Sequence, residues 1–73
     1  MSRLEFQDTG PSPSGKTKTW EVIGNNYVLG WVRWYGQWRK YVFHAGAGSL
    51  YDAGCLNEIS AFLIQETNAH KQQ

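Results

Sequence analysis

The chain of 73 residues is long enough for one domain with a modest hydrophobic core. It is 41% hydrophobic and 18% charged, which is typical of a folded globular protein and not of a disordered one. The net charge of +1 indicates no particular class of partner and is too low for strong phosphate binding. A domain of this size buries only about 60% of its unfolded surface, so its stability is marginal and self-association stays open.

Cysteine usage and the N-terminal residues predict a cytoplasmic protein. Cys55 is the single cysteine, so no disulfide can form within the chain, and this favours a reducing compartment. No apolar run approaches the roughly 18 residues of a membrane span, and residues 1–6 contain no signal-peptide core. We therefore expect no membrane partner.

The first 16 residues are predicted to form a flexible N-terminal tail. Residues 9–15 are rich in Gly, Pro and Ser, a composition that is typical of loops. Leu4 and Phe6 alternate with other residues and could add to a sheet edge, but a chain terminus is more often frayed.

Three strands follow, because apolar, aromatic and β-branched residues recur at strand spacing. The predicted strands are residues 17–23, 27–35 and 38–44. Gly24-Asn25-Asn26 is expected to form the first turn, since all three residues tolerate positive φ. Gly36-Gln37 is expected to form the second.

A C-terminal helix is predicted from about Ala53 to Ala69, with Asp52 as its N-cap. Its apolar positions recur at helical spacing; they are Cys55, Leu56, Ile59, Phe62 and Leu63. The predicted fold class is therefore α+β, a three-stranded antiparallel β-meander packed on one C-terminal α-helix. It forms a single domain over residues 17–70.

The register of the sheet divides its side chains between two faces. A Gly36-Gln37 turn pairs Trp34 with Arg39, and a three-residue first turn pairs Trp20 with Gly30. The helix then covers an apolar inner face of Trp20, Val22, Val28, Gly30, Val32, Trp34, Tyr41 and Phe43. Trp20 is expected to fill the space beside Gly30, and Arg39 is interpreted as structural. A slip of one residue in the first turn would move Trp20 to the other face.

The opposite face of the predicted sheet mixes aromatic with basic side chains and has no helix to cover it. Its candidate binding residues are Trp31, Arg33, Tyr35, Trp38 and Lys40. Trp, Tyr and Arg dominate protein hot spots, which favours a homodimer or a protein partner. Two alternatives stay open: stacking on single-stranded nucleic acid, or basic stems that simply cover the tryptophans.

One motif resembles a phosphate-binding loop, because residues 10–17 match the pattern G-x-x-x-x-G-K-[ST]. Such a loop needs free backbone amides and a following helix. Pro11 and Pro13 remove two amides, and a strand is predicted to follow. We interpret the motif as a linker.

Cys55 and His44 offer a nucleophile and a base, but Cys55 lies among apolar helix positions and is interpreted as a small packed side chain. His44 and His70 show no metal-ligand spacing with Cys55. We therefore predict no catalytic residue, no metal site and no cofactor, and the chain is not expected to be an enzyme.

A set of spaced positions between residues 16 and 64 carries a resemblance to a known group of proteins. They are Lys16-Thr17-Lys18-Thr19-Trp20-Glu21-Val22, Leu29-Gly30, Val32, Trp34, Trp38-Arg39, Tyr41, Phe43, Cys55-Leu56, Ile59 and Phe62-Leu63. This set resembles small hypothetical proteins encoded by phages, prophages and other mobile elements. The resemblance implies a mobile-element origin and no activity. Because small proteins in that setting often act by binding, it slightly favours a protein partner.

Overall fold

A computed structural model describes residues 4–13 and 15–71, which form one antiparallel sheet and one helix. The elements are β1 (Leu4–Pro11), β2 (Lys18–Gly24), β3 (Tyr27–Tyr35), β4 (Lys40–Ala45) and α1 (Ala53–Lys71). The strands lie side by side in chain order, β1-β2-β3-β4. The α+β class and the antiparallel meander with a C-terminal helix are confirmed, whereas the prediction of three strands is wrong.

The fourth strand, β1, comes from the segment that was predicted to be a flexible tail. Leu4 is buried in the core, and the ring of Phe6 stacks on the ring of Phe62 in α1 with centroids 4.1 Å apart. Removing these apolar side chains from water favours an ordered edge strand over a frayed end. The tail prediction is therefore corrected for residues 4–11; its residues 1–3 and 14 lie outside the described residues.

The turn between β2 and β3 contains two residues and not the predicted three. Asn25 and Asn26 have φ values of 52° and 68°, and Gly24 pairs with Tyr27 across the turn. Two successive positive φ angles are the signature of the type I′ turn, whose twist matches that of the flanking strands. Asparagine adopts this conformation at little cost, which explains the residue type at both positions.

A bulge in β3 restores the face assignment that this shorter turn would otherwise reverse. The ladder shifts between Val22 and Ile23, so Leu29 is an extra residue on the β3 side. Beyond the bulge Val22 pairs with Gly30 and Trp20 pairs with Val32. Trp20 and Val22 therefore face the core, as predicted, although the register behind that prediction is wrong.

The bulge also changes three local assignments. Val28, which was predicted on the inner face, is exposed, and Leu29 instead packs against the core. Trp20 does not fill the space beside Gly30. A Cβ atom added at Gly30 would overlap the carbonyl oxygen of His44 and lie 2.6 Å from Cζ of Phe43. The Phe43 ring therefore occupies the space that the glycine leaves.

The connection between β3 and β4 is a four-residue loop, where a two-residue turn was predicted. Trp34 pairs with Tyr41, two residues beyond the expected partner Arg39. A shift of two residues leaves every side chain on its face, because side chains alternate along a strand. Arg39 is exposed in the loop at φ 54°, so its prediction as an inner-face residue opposite Trp34 is wrong.

The helix begins where its capping signal predicts, and it runs two residues past the predicted end. The N–H of Cys55 donates to Oδ1 of Asp52 at 2.8 Å, which confirms Asp52 as the N-cap. The core between helix and sheet contains six buried side chains: Leu4, Trp20, Val22, Val32, Tyr41 and Ile59. The ring of Trp20 meets those of Tyr41 and Phe62 edge to face, at 5.3 and 5.1 Å.

Helix α1 also covers part of the sheet edge formed by β4. The backbone N–H of Tyr41 points out of the sheet and donates to Oγ1 of Thr67 at 3.0 Å. The ring of His70 lies 4.3 Å from that of Trp34, one turn further along the helix. These contacts anchor the C-terminal half of α1 to the edge strand β4 through Tyr41 and to β3 through Trp34.

Replacing Thr67 by valine is expected to lower the free energy of unfolding by about 1–3 kcal/mol, because the N–H of Tyr41 loses its acceptor at a half-buried position. Thr67→Ser keeps the hydroxyl and should cost clearly less. Urea unfolding followed by tryptophan fluorescence measures both variants. Equal losses in the two would contradict a role for the hydroxyl group.

Candidate functional site

The helix covers one face of the sheet, and the other face, here called the outer face, carries exposed aromatic side chains. Trp31 is 38% exposed, Tyr35 is 36% exposed and Trp38 is 64% exposed. Alternation along β3 places Arg33 beside them, and Lys40 pairs with Tyr35 from β4. The structure therefore brings Trp31, Arg33, Tyr35 and Trp38 to the outer face, whereas Lys40, on the edge strand β4, pairs with Tyr35 and also lines a groove beside α1.

Trp31 lies in the middle of the outer face with polar neighbours on both sides. Glu21 of β2 and His44 of β4 are its cross-strand partners, and Gln7 of β1 continues the same row beyond Glu21. β1 also brings Glu5 to this face, opposite Ile23. Because β1 was not predicted, the carboxylate of Glu5 was missed, whereas Glu21 was already expected on this face. The outer face is therefore mixed in charge, and not basic.

Tyr35 and Trp38 form a pre-arranged pair at the end of the outer face next to the β3–β4 loop. Their ring centroids lie 4.9 Å apart with an interplanar angle of 83°. The Tyr35 hydroxyl donates to Oε1 of Gln37 at 2.7 Å, within the β3–β4 loop. Edge-to-face ring pairs are worth about 0.5–1.5 kcal/mol. The contact restricts both rings, and such restriction would lower the entropic cost of binding through them.

Trp38 belongs to the β3–β4 loop, although the sequence placed it at the start of a strand. Its N–H donates to the carbonyl of Tyr35 at 3.2 Å, which closes a turn within the loop. Arg33 is exposed in β3, pairs with Val42 and lines a shallow cavity beside Trp34. The two basic residues of the outer face therefore lie on different strands, and neither is adjacent to Trp31 across the sheet.

A second surface, missed by sequence reasoning, is a groove of about 490 Å³ between α1 and the edge strand β4. Its lining residues are Lys40, Tyr41, Phe43, Leu56, Ile59, Ser60, Leu63, Ile64, Thr67, Asn68 and Lys71. Leu56 is 51% exposed and Ile64 is 60% exposed. The assignment of Leu56 to the buried helix face is therefore wrong. The spacing of Leu56, Ser60 and Ile64, four residues apart, is the signal that could have revealed this stripe.

The residues considered for catalysis are not brought together. Cys55 packs against the core on the helix side of the sheet, whereas His44 pairs with Trp31 on the outer face. The sheet therefore separates the two side chains. Within residues 4–13 and 15–71, no group of three His, Cys, Asp or Glu side chains could hold a metal ion.

In the segment that matches a phosphate-binding loop, Gly10 and Pro11 end β1, and the described residues 12–13 and 15–17 lead into β2. The N–H of Ser12 donates to the carbonyl of Thr17 at 2.8 Å, and the N–H of Gly15 donates to the carbonyl of Ser12 at 2.9 Å. These amides are engaged within the turn, and β2 follows where the motif requires a helix. The geometry agrees with a connecting loop.

In the described part of the chain, no helix combines the length and the apolar character needed to cross a bilayer.

Comparison with known proteins finds one informative relative of similar length. No protein-family model matches the chain, and no solved structure matches it. Over 62 residues the chain is 34% identical to an "Uncharacterized 9.3 kDa protein" of Acholeplasma phage L2, and the match covers 82% of this chain and 80% of the phage protein. The expected resemblance to small phage-type hypothetical proteins is thereby confirmed, and the chain belongs to the family of this phage protein.

Proposed function

We propose that this chain is a small non-catalytic binding module that docks a protein through the outer face of its sheet. The observation that carries the proposal is the exposure of Trp31, Tyr35 and Trp38 on a sheet face that α1 leaves uncovered. Trp and Tyr supply large contact areas with few rotatable bonds, and they are enriched among the residues that dominate protein interfaces.

The charges around these rings favour a protein over a nucleic acid. Glu21 lies directly beside Trp31, and Glu5 adds a second carboxylate from β1. A phosphate backbone laid across the face would meet these carboxylates as well as Arg33 and Lys40. A protein surface can present both signs of charge in a polar rim around an aromatic centre.

The partner is either a second copy of the chain or a different protein, and stoichiometry separates the two. A homodimer through the outer face would cover its exposed aromatic rings with those of the second copy. We further propose a cytoplasmic location, where the thiol of Cys55 stays reduced.

The double variant Trp31→Ala/Trp38→Ala tests the proposal, because truncating two hot-spot side chains of about 2 kcal/mol each weakens binding by about 700-fold. Tyr27→Ala is the matched control, since Tyr27 is also well exposed but lies at the opposite end of β3. A partner captured from cells that carry the gene is purified, and its affinity for each variant is measured by calorimetry. Sedimentation velocity of the chain alone measures self-association.

Loss of binding in the double variant, together with retention in Tyr27→Ala, is the expected result. A chain that stays monomeric at high concentration, and whose partners bind the double variant as tightly as the parent chain, would rule out the outer face as a docking surface. Urea unfolding of each variant confirms that a lost affinity does not reflect a lost fold.

Single-stranded nucleic acid is the second candidate, favoured by exposed rings next to Arg33 and Lys40. It predicts quenching of tryptophan fluorescence by oligonucleotides, with an affinity that falls as salt rises. Quenching that disappears in the Trp31→Ala/Trp38→Ala variant would show that the outer face binds nucleic acid. No quenching at low salt would exclude it.

A further inference from the structure

Helix α1 carries two apolar stripes, and the sheet covers one of them. Cys55, Ile59 and Phe62 pack against the core. Leu56 and Ile64 lie on the neighbouring stripe and face the groove beside β4, half or more exposed. Among the described residues of α1, Ile59 alone is buried. The exposed stripe of the helix could therefore pack against a second surface.

The exposed stripe is arranged almost symmetrically about Ser60. Leu56 lies four residues before Ser60, and Ile64 lies four residues after it; Asp52 and Asn68 lie eight residues before and after. If two copies of α1 cross antiparallel at Ser60, Leu56 of each copy lies opposite Ile64 of the other. A small side chain at the crossing point lets the two helices approach closely.

The charges on this stripe complement each other in the same arrangement. Asp52, at the start of the helix, would lie opposite Asn68 of the second copy and within one turn of its Lys71. This places a carboxylate near an amide donor and an ammonium group at both ends of the contact. Antiparallel helix dipoles also attract each other. Among the described residues the groove itself is lined by two bases, Lys40 and Lys71, and by no acid, so in a symmetric contact Asp52 at each end is the group that offsets their repulsion.

We propose that the chain forms a two-fold symmetric homodimer in which α1 of each copy occupies the groove between α1 and β4 of the other. The interface is isologous, so one surface serves both copies. Leu56 and Ile64 of one copy pack on the apolar wall made by Phe43 and Leu63 of the other. The proposal concerns the helix side of the molecule and does not depend on the function of the outer face.

The size of the contact sets its expected strength. From Leu56 to Lys71 the stripe spans about 22 Å at 1.5 Å per residue, and a helix with its side chains is about 10 Å wide. The helix–helix strip alone therefore covers about 220 Å² on each copy, well below the roughly 800 Å² per partner of a standard specific interface, so the contact is weak even with the β4 wall of the groove added. We therefore expect a dimer that dissociates on dilution.

A symmetric cross-link tests the crossing point directly. At an interaxial distance of about 9–10 Å, Cα atoms that face each other lie about 4.4–5.4 Å apart, because each lies about 2.3 Å from its helix axis. A disulfide spans such a distance. Ser60→Cys in a Cys55→Ala chain should therefore form a covalent dimer under mild oxidation. Gln65→Cys in the same background is the control, because Gln65 is exposed on α1 but does not line the groove.

Sedimentation velocity over a range of concentrations provides the second measurement. Leu56→Ser/Ile64→Ser should raise the dissociation constant by about 100-fold, while Trp31→Ala/Trp38→Ala should leave it unchanged. Three results would each overturn the proposal. They are a monomer at every concentration, equal cross-linking of the Ser60→Cys and Gln65→Cys chains, or a dimer that dissociates only when the two tryptophans are replaced. The last result would assign self-association to the outer face.

Discussion

Replacing Trp20 by alanine is expected to lower the free energy of unfolding by about 3–5 kcal/mol, the cost of deleting a large buried aromatic side chain. Trp20 is buried, and it contacts the rings of Tyr41 in β4 and Phe62 in α1. It therefore joins the sheet to the helix at the centre of the core. In a small domain of marginal stability this loss should leave a large unfolded fraction at 25 °C.

Trp31→Ala is the matched control for this prediction, since it removes the same side chain from the uncovered face of the adjacent strand. We expect it to cost less than about 1 kcal/mol, because the indole ring is partly in water already. Circular dichroism at 222 nm and urea unfolding compare the two variants. Similar losses at both positions would contradict the division of the tryptophans between core and outer face.

Gly30→Ala is expected to destabilise the fold by about 3 kcal/mol through overpacking. The added methyl group would overlap the carbonyl oxygen of His44 and press against the ring of Phe43, where Cζ is 2.6 Å away. The backbone of β4 cannot move without breaking its ladder to β3. The effect is steric, since Gly30 does not have a positive φ.

Gly36→Ala supplies the control for the glycine prediction. Gly36 lies in the β3–β4 loop, no atom lies within 4 Å of its added Cβ, and its φ is not positive. Alanine there should be neutral or slightly stabilising, because it reduces the freedom of the unfolded chain. Urea midpoints measure both variants. A Gly30→Ala protein as stable as Gly36→Ala would show that the Phe43 ring can leave this space.

The parts of the fold that depend on local signals were predictable from the sequence. The helix bounds followed from the N-cap Asp52 and from apolar residues at helical spacing, both of which act within a few residues. β2 and β3 followed from alternation and from residue type. The antiparallel meander followed from short connections between strands, which leave little choice of topology.

The turns show where local reasoning is insufficient. Asn25 and Asn26 form the turn alone, and the bulge at Leu29 compensates for the missing residue. Bulge formation depends on packing: Leu29 gains a place against the core, and Gly30 accepts the close approach of Phe43. Neither contact is visible in a single strand, so the faces of Trp20 and Val22 were obtained from an incorrect register and that of Val28 was predicted wrongly.

β1 was missed for a related reason. Its apolar signal is only Leu4 and Phe6, and the rest of the strand contains Gly10 and Pro11, which indicate a loop. The strand exists because Phe6 stacks on Phe62, which lies far away in the chain. That omission also hid the carboxylate of Glu5, so the candidate site was predicted to be more basic than it is.

The bond from the N–H of Tyr41 to Thr67 has a consequence for how partners can be recognised. An edge strand with free backbone groups invites strand addition and aggregation. On the β4 side Thr67 occupies one such donor, and on the β1 side the ladder is interrupted between Asp8 and Gly10 and ends at Pro11. Both edges thus discourage extension of the sheet into larger assemblies or fibrils. A partner of the proposed outer face would accordingly be held through side chains, with specificity set by the shape of the indole rings and not by backbone pairing.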